Sequence, residues 1–456
     1  MTKILDVQAS RRAVLAGAGG MSLMALLAAC APGSLTSGDS AGQVKFWQVF
    51  NSKEAEAWFR ENFVEAYNAT TPKVPVNLIV KQLDTIAQQT QTALAAGSGP
   101  DIVGTAGPAL VSEYVDAGYL APLDEFATTF GWNDRLLPWA LETGKIGGVL
   151  YSLPTGYETM INLYNRAYFE AKGYVLPTNR ADFEALCEEA AGAGLVPIAS
   201  GNADWVGVSE WLATIVFNHF SGPEAFRQAL TGEISFTDPV FVDGFQLFLD
   251  YFAKGWIGGG VDRYFTNTFA DQYTAVATGK SLFHWTGSWA TVDAPSYFGS
   301  EAGNDGEWDW GAYPSLREGV PAEVWELSIG GTLSVNAKAG SVEGAAAFLD
   351  YLNSDPKKQG QGVAEAGLAP AAIEVAVSDF PSSVDERVSR IYQTISEAQV
   401  AGYTTWTFLP ATTDSYVIEG WDKMLTGDLA PADYAAGIDS EYRKAVADGF
   451  VPPLPA

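Results

Sequence analysis

Residues 92–103 read T-A-L-A-A-G-S-G-P-D-I-V. A helical pattern over 85–96 stops at Gly97 and Pro100, and an apolar strand, Asp101-Ile102-Val103, starts directly after it. The same alternation recurs upstream. Val44, Phe46 and Gln48 alternate with Lys45, Trp47 and Val49 as a first strand. A helix then puts Ala55, Phe59, Phe63 and Ala66 on one face, with Asn51 and Glu54 as its capping pair, and Val76, Leu78 and Val80 form a second strand. This β-α-β-α-β order predicts an α/β protein with a mainly parallel sheet. Ligands of such sheets bind beyond the carboxyl ends of the strands, which brings 50–51, 82–84 and 104–107 to one candidate site.

Farther along, 155–325 reads as helix-rich and aromatic, with 204–211, 285–289 and 308–310 the densest stretches. A further strand-helix unit follows 328: G-G-T-L-S-V-N-A, then a helix over 341–353. The pattern from 384 to 443 is helical again. At about 100–200 residues per domain, 456 residues predict two or three domains. With 47% hydrophobic and 18% charged residues, wholesale disorder is excluded.

Acidic residues outnumber basic ones 54 to 26, a formal net charge of -28. Such a surface repels nucleic acid and anionic membranes, so neither is expected as a direct partner. An anionic ligand would need a local basic pocket.

The first thirty residues begin with Lys3, Arg11 and Arg12, continue through an uncharged small and apolar stretch over 13–29, and end L-L-A-A-C at Cys30. A basic start, a short apolar run and small residues before the cut describe a secretory signal, too short and too rich in Ala and Gly for a spanning helix. S-R-R-A-V-L over 10–15 resembles a twin-arginine export signal, and L-A-A-C resembles a bacterial lipobox, which makes Cys30 the lipidation site. The expected organisation is a signal over 1–29 and a flexible Gly/Ser-rich tether over 30–42. The protein is then exported and held at the outer face of the cytoplasmic membrane by its lipid. The second cysteine, Cys187, falls on the apolar side of a helical pattern with Phe183, Leu186 and Ala190 and is expected in the core.

Catalytic signatures are sparse. His219 and His284 are the two histidines, neither has a Cys or His at ligand spacing, and both are expected to be structural. Gly279-Lys280-Ser281 lacks the upstream glycine of a phosphate loop, since position 274 is Thr274. No G-x-S-x-G elbow occurs, and Asn304-Asp305-Gly306-Glu307 lacks calcium-loop spacing. Paired carboxylates could serve a glycosidase, and Glu158 and Glu326 stand out only by lying in hinge-like segments. No catalytic residue, metal or cofactor is expected.

Tryptophan is more informative, with 14 in the chain. An indole offers a rigid apolar plane for the C–H face of a pyranose, and Asn, Gln, Asp and Glu suit its hydroxyl rim. Trp205, Trp211, Trp325 and Trp406 are candidates on composition and context.

Six segments, in order, resemble the family 1 extracellular solute-binding proteins of ABC sugar importers, the relatives of maltose-binding protein. They are T-A-L-A-A-G-S-G-P-D-I-V over 92–103, Y-L-A-P-L-D-E-F over 119–126, and G-V-L-Y-S-L-P-T-G-Y-E-T-M-I-N-L-Y-N-R-A-Y-F over 148–169. T-G-K-S-L-F-H-W-T-G-S-W over 278–289, the unit over 330–352 and the segment over 420–449 complete the set. The resemblance implies a two-lobed periplasmic-binding-protein-like fold of type II. Each lobe is a mainly parallel sheet flanked by helices, and the ligand lies in the cleft between them. The first lobe is expected to span 43–155 plus 331–375, the second 156–330 plus 376–456. Carried over by position, Trp289 stacks on the sugar with Gly287 and Ser288 in support. Tyr157, Glu158, Gly330 and Gly331 contribute at the hinge, and Phe50, Asn51 and Ala106 from the first lobe. The hinge departs from many relatives in reading P-T-G-Y-E-T. The implied function is a monomeric, lipid-anchored receptor that carries an oligosaccharide or other sugar to the permease subunits of an ABC importer. The alternatives are a receptor for a non-sugar solute and, behind it, a secreted glycoside hydrolase.

Overall fold

Val44 and Phe46 are buried and Lys45 and Trp47 are not, the two-residue period of a strand with one face in a core. The computed structural model describes residues 42–455 apart from position 51, so the export signal, Cys30, Asn51 and nearly all of the tether lie outside the described residues. The strands are β1 (Val44–Gln48), β2 (Val76–Val80), β3 (Ile102–Thr105), β4 (Lys145–Ile146), β5 (Val149–Leu150), β6 (Ser152–Glu158), β7 (Met160–Asn165), β8 (Ile198–Ala199), β9 (Phe283–Gly287), β10 (Trp308–Gly311), β11 (Trp325–Val335) and β12 (Ala401–Tyr403).

β1 pairs in parallel with β2, Val44 opposite Val76, and with β3, Phe46 opposite Ile102. The sheet runs β12-β11-β3-β1-β2, with β6 also paired to β11. A second sheet runs β10-β7-β9-β8. The mainly parallel pairing expected holds among β1, β2 and β3, between β11 and β12, and between β8 and β9. It gives way where β11 returns antiparallel along β3 and β6, and in the second sheet, where β7 lies antiparallel to both β9 and β10. The reason is connectivity. β6 leaves the first sheet at Glu158 and β7 starts in the second at Met160, so the chain passes between sheets as a single extended run with no crossover helix to reverse it.

The helix after β1 starts at Lys53 and is capped by Ser52, whose Oγ accepts from Ala55 N at 3.0 Å, so Ser52 is the cap observed where Asn51 was expected. It buries Ala55, Phe59 and Phe63 as expected, but a π-helical stretch, Arg60–Glu65, then adds a residue to the turn. The buried face rotates, and Val64 and Tyr67 go inside where Ala66 was expected. The next helix, Leu83–Ala95, ends before Gly97, which takes a left-handed φ of 72°.

Two large apolar cores result. One gathers Phe46, Leu78, Ile102, Leu153, Leu333, Phe348 and Ile373 around the first sheet. The other gathers Phe183, Cys187, Phe217, Phe245, Trp285, Trp421 and Tyr434 around the second. Each fully buried side chain of this size contributes roughly 1.5–3 kcal/mol. Cys187 is fully buried, as its helical spacing predicted. The helical tail is interrupted by β12. There Asn218 replaces a strand neighbour, its Oδ1 accepting from Tyr403 N and its Nδ2 donating to Tyr403 O, both at 2.9 Å. No described helix is long and apolar enough to cross a membrane.

Candidate functional site

β11 is buried along its whole length except at Gly330, which is exposed, and Gly331, which is half-buried. The gap in an otherwise covered strand leaves an open floor of glycine. β6 crosses there, with Ser328 opposite Glu158 and Gly331 opposite Thr155. The two strands meet through glycine. Gly156 has a φ of 68°, and a Cβ on Gly330 would come within 2.5 Å of Glu158 Oε2. Glu158 therefore covers the floor. It has no ion-pair partner among the described residues, and burial pushes its carboxyl up to about 8. Tyr157, beside it, packs on Trp139 with ring centres 5.8 Å apart, and burial raises its hydroxyl.

Four indoles lie in succession beside this floor. Trp205 meets Trp211 at 5.4 Å, Trp211 meets Trp289 at 4.9 Å, and Trp289 meets Trp406 at 6.1 Å. Local sequence positions two of them in the same way. The Trp289 ring folds back over Gly287, where a Cβ would lie 2.2 Å from the indole, and the Trp205 ring folds back over Gly207, where one would lie 2.5 Å away. Ser288 fixes the turn before Trp289, since its N donates to Thr159 O at 2.8 Å and its Oγ accepts from Thr159 N at 3.2 Å. Trp211 is nearly fully buried, and Phe269 stacks on it at 6.0 Å and 15°. Trp406 Nε1 donates to Ser328 Oγ at 2.9 Å, which ties its ring to β11. The chain after β3 comes up against it, because a Cβ on Gly107 would lie 3.3 Å from the Trp406 carbonyl. Ala106, next to it, is exposed.

Trp205, Trp211, Trp289 and Trp406 thus come together, with Gly287 and Ser288 in support. Tyr157, Glu158, Gly330 and Gly331 form the strand crossing, and Ala106 sits on the loop that faces Trp406. Two expected site residues pack elsewhere. Trp325 stands edge-on to Trp310 in a third, smaller core, because as the first residue of β11 it lies five positions before the exposed glycines. Phe50 leans on Phe59 at 5.3 Å, at the edge of the first core. Asn51 is outside the described residues.

Glu326 is no catalytic candidate. It and His219 are fully buried, and His219 Nε2 lies 2.7 Å from Glu326 Oε1. His284 is buried too, with Nδ1 3.2 Å from the carbonyl of Ala199, and burial lowers its pKa to about 4. A carboxyl pair, Glu210 and Asp414, escaped sequence reading. The two side chains are hydrogen-bonded, and burial pushes both up, Glu210 further because Asp414 keeps negative charge beside it. They are 204 positions apart, and only the neighbour Trp211 could have drawn attention to Glu210.

A sequence profile for bacterial extracellular solute-binding proteins matches residues 51–359. A binding protein of Brucella abortus is 27% identical over 168 residues, 36% of this chain and 39% of that protein, so the chain aligns with about two fifths of the length of such curated relatives. An uncharacterized lipoprotein of Streptomyces antibioticus is 23% identical over 359 residues, 72% of this chain and 70% of it. Among solved structures, a chitin oligosaccharide binding protein superposes with a TM-score of 0.73 at 20% identity, covering 89% of this chain and 99% of that one. The GacH receptor of Streptomyces glaucescens, solved unliganded and with acarbose, gives 0.70 at 22% identity, covering 90% and 99%. At these identities the structural likeness is one of fold, and the fold is two-lobed.

Proposed function

The chain belongs to the bacterial extracellular solute-binding proteins, and we propose that it captures a carbohydrate, an oligosaccharide, and delivers it to an ABC importer by hinge closure. The observation that carries this reading is the run of indoles beside a glycine floor, with Trp205 46% exposed and Trp289 half-buried. Rigid aromatic planes next to carboxyl groups match a ligand of C–H faces and hydroxyl rims. Glu158 near neutrality can donate as well as accept a hydrogen bond, which suits a hydroxyl. The names of its structural neighbours, a chitin oligosaccharide binding protein and an acarbose receptor, support a sugar. It is a binding protein and not an enzyme, which its membership in the solute-binding family supports.

In this reading residues 43–155 plus 331–375 form one lobe and 156–330 plus 376–456 the other. β6 and β11 are the crossings about which they close. A sugar that touches both lobes binds the closed form better and shifts the population toward it. Trp289 is the stacking plane, with Trp205 extending it and the buried Trp211 and Trp406 backing the two rings. The receptor acts as a monomer, exported and tethered to the outer face of the membrane through lipidated Cys30. A lipoprotein among its relatives supports that anchoring.

The test is a panel of oligosaccharides followed by tryptophan fluorescence and calorimetry. At least one should change the emission and release or absorb heat in a saturable way. Silence from every member in both measurements would count against a sugar.

A further inference from the structure

The helix Glu386–Glu397 commits its two arginines to β10. Arg387 stacks on Trp308 at 3.8 Å and pairs with Asp385, and Arg390 stacks on Trp310 at 4.5 Å and pairs with Asp309. Two positions after Arg390, Tyr392 falls on a different face of the helix. Its ring stacks on Phe380 at 5.7 Å and 27° in the third, smaller core, against which Tyr157 also packs.

The ring is held and the hydroxyl is not. Tyr392 is 8% exposed, and its hydroxyl has no hydrogen-bond partner among the described residues. That oxygen stays open to solvent, whereas the unpaired hydroxyls of Ser152 and Thr159, on β6 and just after it, are sealed. It looks onto the strand crossing. Burial raises the pKa of the Tyr392 hydroxyl, and negative charge at Glu158 and then at Tyr157 raises it further, so both groups lie close by. The Glu158 carboxyl and the Tyr157 hydroxyl likewise have no hydrogen-bond partner among the described residues, and neither is sealed. Glu158 lies over the exposed Gly330, and the next residue, Thr159, is bonded to Ser288 on the turn that presents Trp289. Unpaired oxygens from two strands' crossing and one helix thus meet at the glycine floor. No cation acts on them, since burial is the sole cause of the rise at Glu158.

We propose that Tyr392 is a specificity-determining residue of the sugar site: its hydroxyl, with the Glu158 carboxyl and the Tyr157 hydroxyl, hydrogen-bonds the hydroxyl rim of an uncharged ring and turns away a ring that carries a carboxylate. This assignment rests on the sugar reading of the same floor. A phenol, and a carboxyl that keeps its proton, can each donate and accept, so they pair with sugar hydroxyls in either sense. A uronate would bring its charge out of water to a patch with no positive partner, which is costly.

The test is calorimetry with four uncharged probes, maltotriose, raffinose, xylotriose and chitotriose, and one acidic probe, trigalacturonate, on the unmodified protein, Tyr392→Phe and Trp289→Ala. At least one uncharged probe should bind, with trigalacturonate at least tenfold weaker. Tyr392→Phe removes one oxygen and leaves the ring on Phe380, so the melting temperature should not change. Affinity for the uncharged probe should fall about five- to tenfold, the loss expected for one hydrogen bond. A monodeoxy derivative of that probe, lacking the partner hydroxyl, should bind the unmodified protein equally weakly and lose nothing further in Tyr392→Phe, a non-additivity that a purely structural role would not give. Uncharged probes that Trp289→Ala weakens and Tyr392→Phe does not, or trigalacturonate bound as tightly as they are, would overturn the assignment of Tyr392 and leave the sugar site standing. Silence from every probe would overturn both.

Discussion

Trp289 and Trp205 are held by what their neighbours lack. An indole folded over a glycine cannot stay there once a methyl group is added. Gly287→Ala, with its Cβ 2.2 Å from the ring, should therefore displace Trp289 while leaving the ring present. Trp289→Ala should weaken binding of the identified sugar at least tenfold, about 1.4 kcal/mol, and Gly287→Ala should produce a loss in the same direction, both read by calorimetry. Unchanged affinity in Trp289→Ala would remove that ring from the site. Glu158 makes a prediction about pH. Its ordinary value is 4.5 and burial raises it to about 8, so between these limits the folded chain keeps a proton that the unfolded chain has released. Stability contributed by this residue therefore falls as pH rises from 4.5 toward 8. Glu158→Gln should flatten that part of the curve of melting temperature against pH; an unaltered slope would show that the carboxyl is ionised in the folded protein.

The crossing of β6 and β11 is the element on which the proposed cleft depends. Gly156→Ala would force an alanine to a φ of 68°, at a cost of about 1–2 kcal/mol, and urea denaturation should show a lower midpoint with an unchanged slope. This crossing was legible in the sequence because P-T-G-Y-E-T and G-G-T-L-S-V carry its glycines and its two-residue alternation. β1, β2 and β3 were legible for the same reason. The π-helical turn at 60–65 was not, because adding one residue to a turn leaves no mark on composition, yet it rotates the buried face from Ala66 to Tyr67. β12 was hidden because it is three residues long and its partners are distant in sequence, β11 along one edge and Asn218, 185 positions away, on the other. The meeting of Trp205, Trp211, Trp289 and Trp406 was legible only as a list of candidates. Trp325 had the same composition in its favour and went to another core, because the choice is made by strand position and not by residue type.

At the scale of the molecule, the proposed binding of a sugar to the folded chain alone implies that ligand and stability are linked. A sugar at one hundred times its Kd should add about 2.7 kcal/mol to the unfolding free energy, seen as a higher melting temperature that climbs further with concentration. Small-angle scattering should show the radius of gyration fall on adding the same sugar, and a constant radius would argue against closure. One consequence of the indole run reaches beyond affinity. Ring centres at 5.4, 4.9 and 6.1 Å are close enough for the excited states of neighbouring chromophores to mix. Circular dichroism should then carry a paired positive and negative band from these rings, and a guest that shifts the open rings of Trp205 or Trp289 would alter its sign or intensity, so the protein would carry its own optical reporter of where a ligand sits.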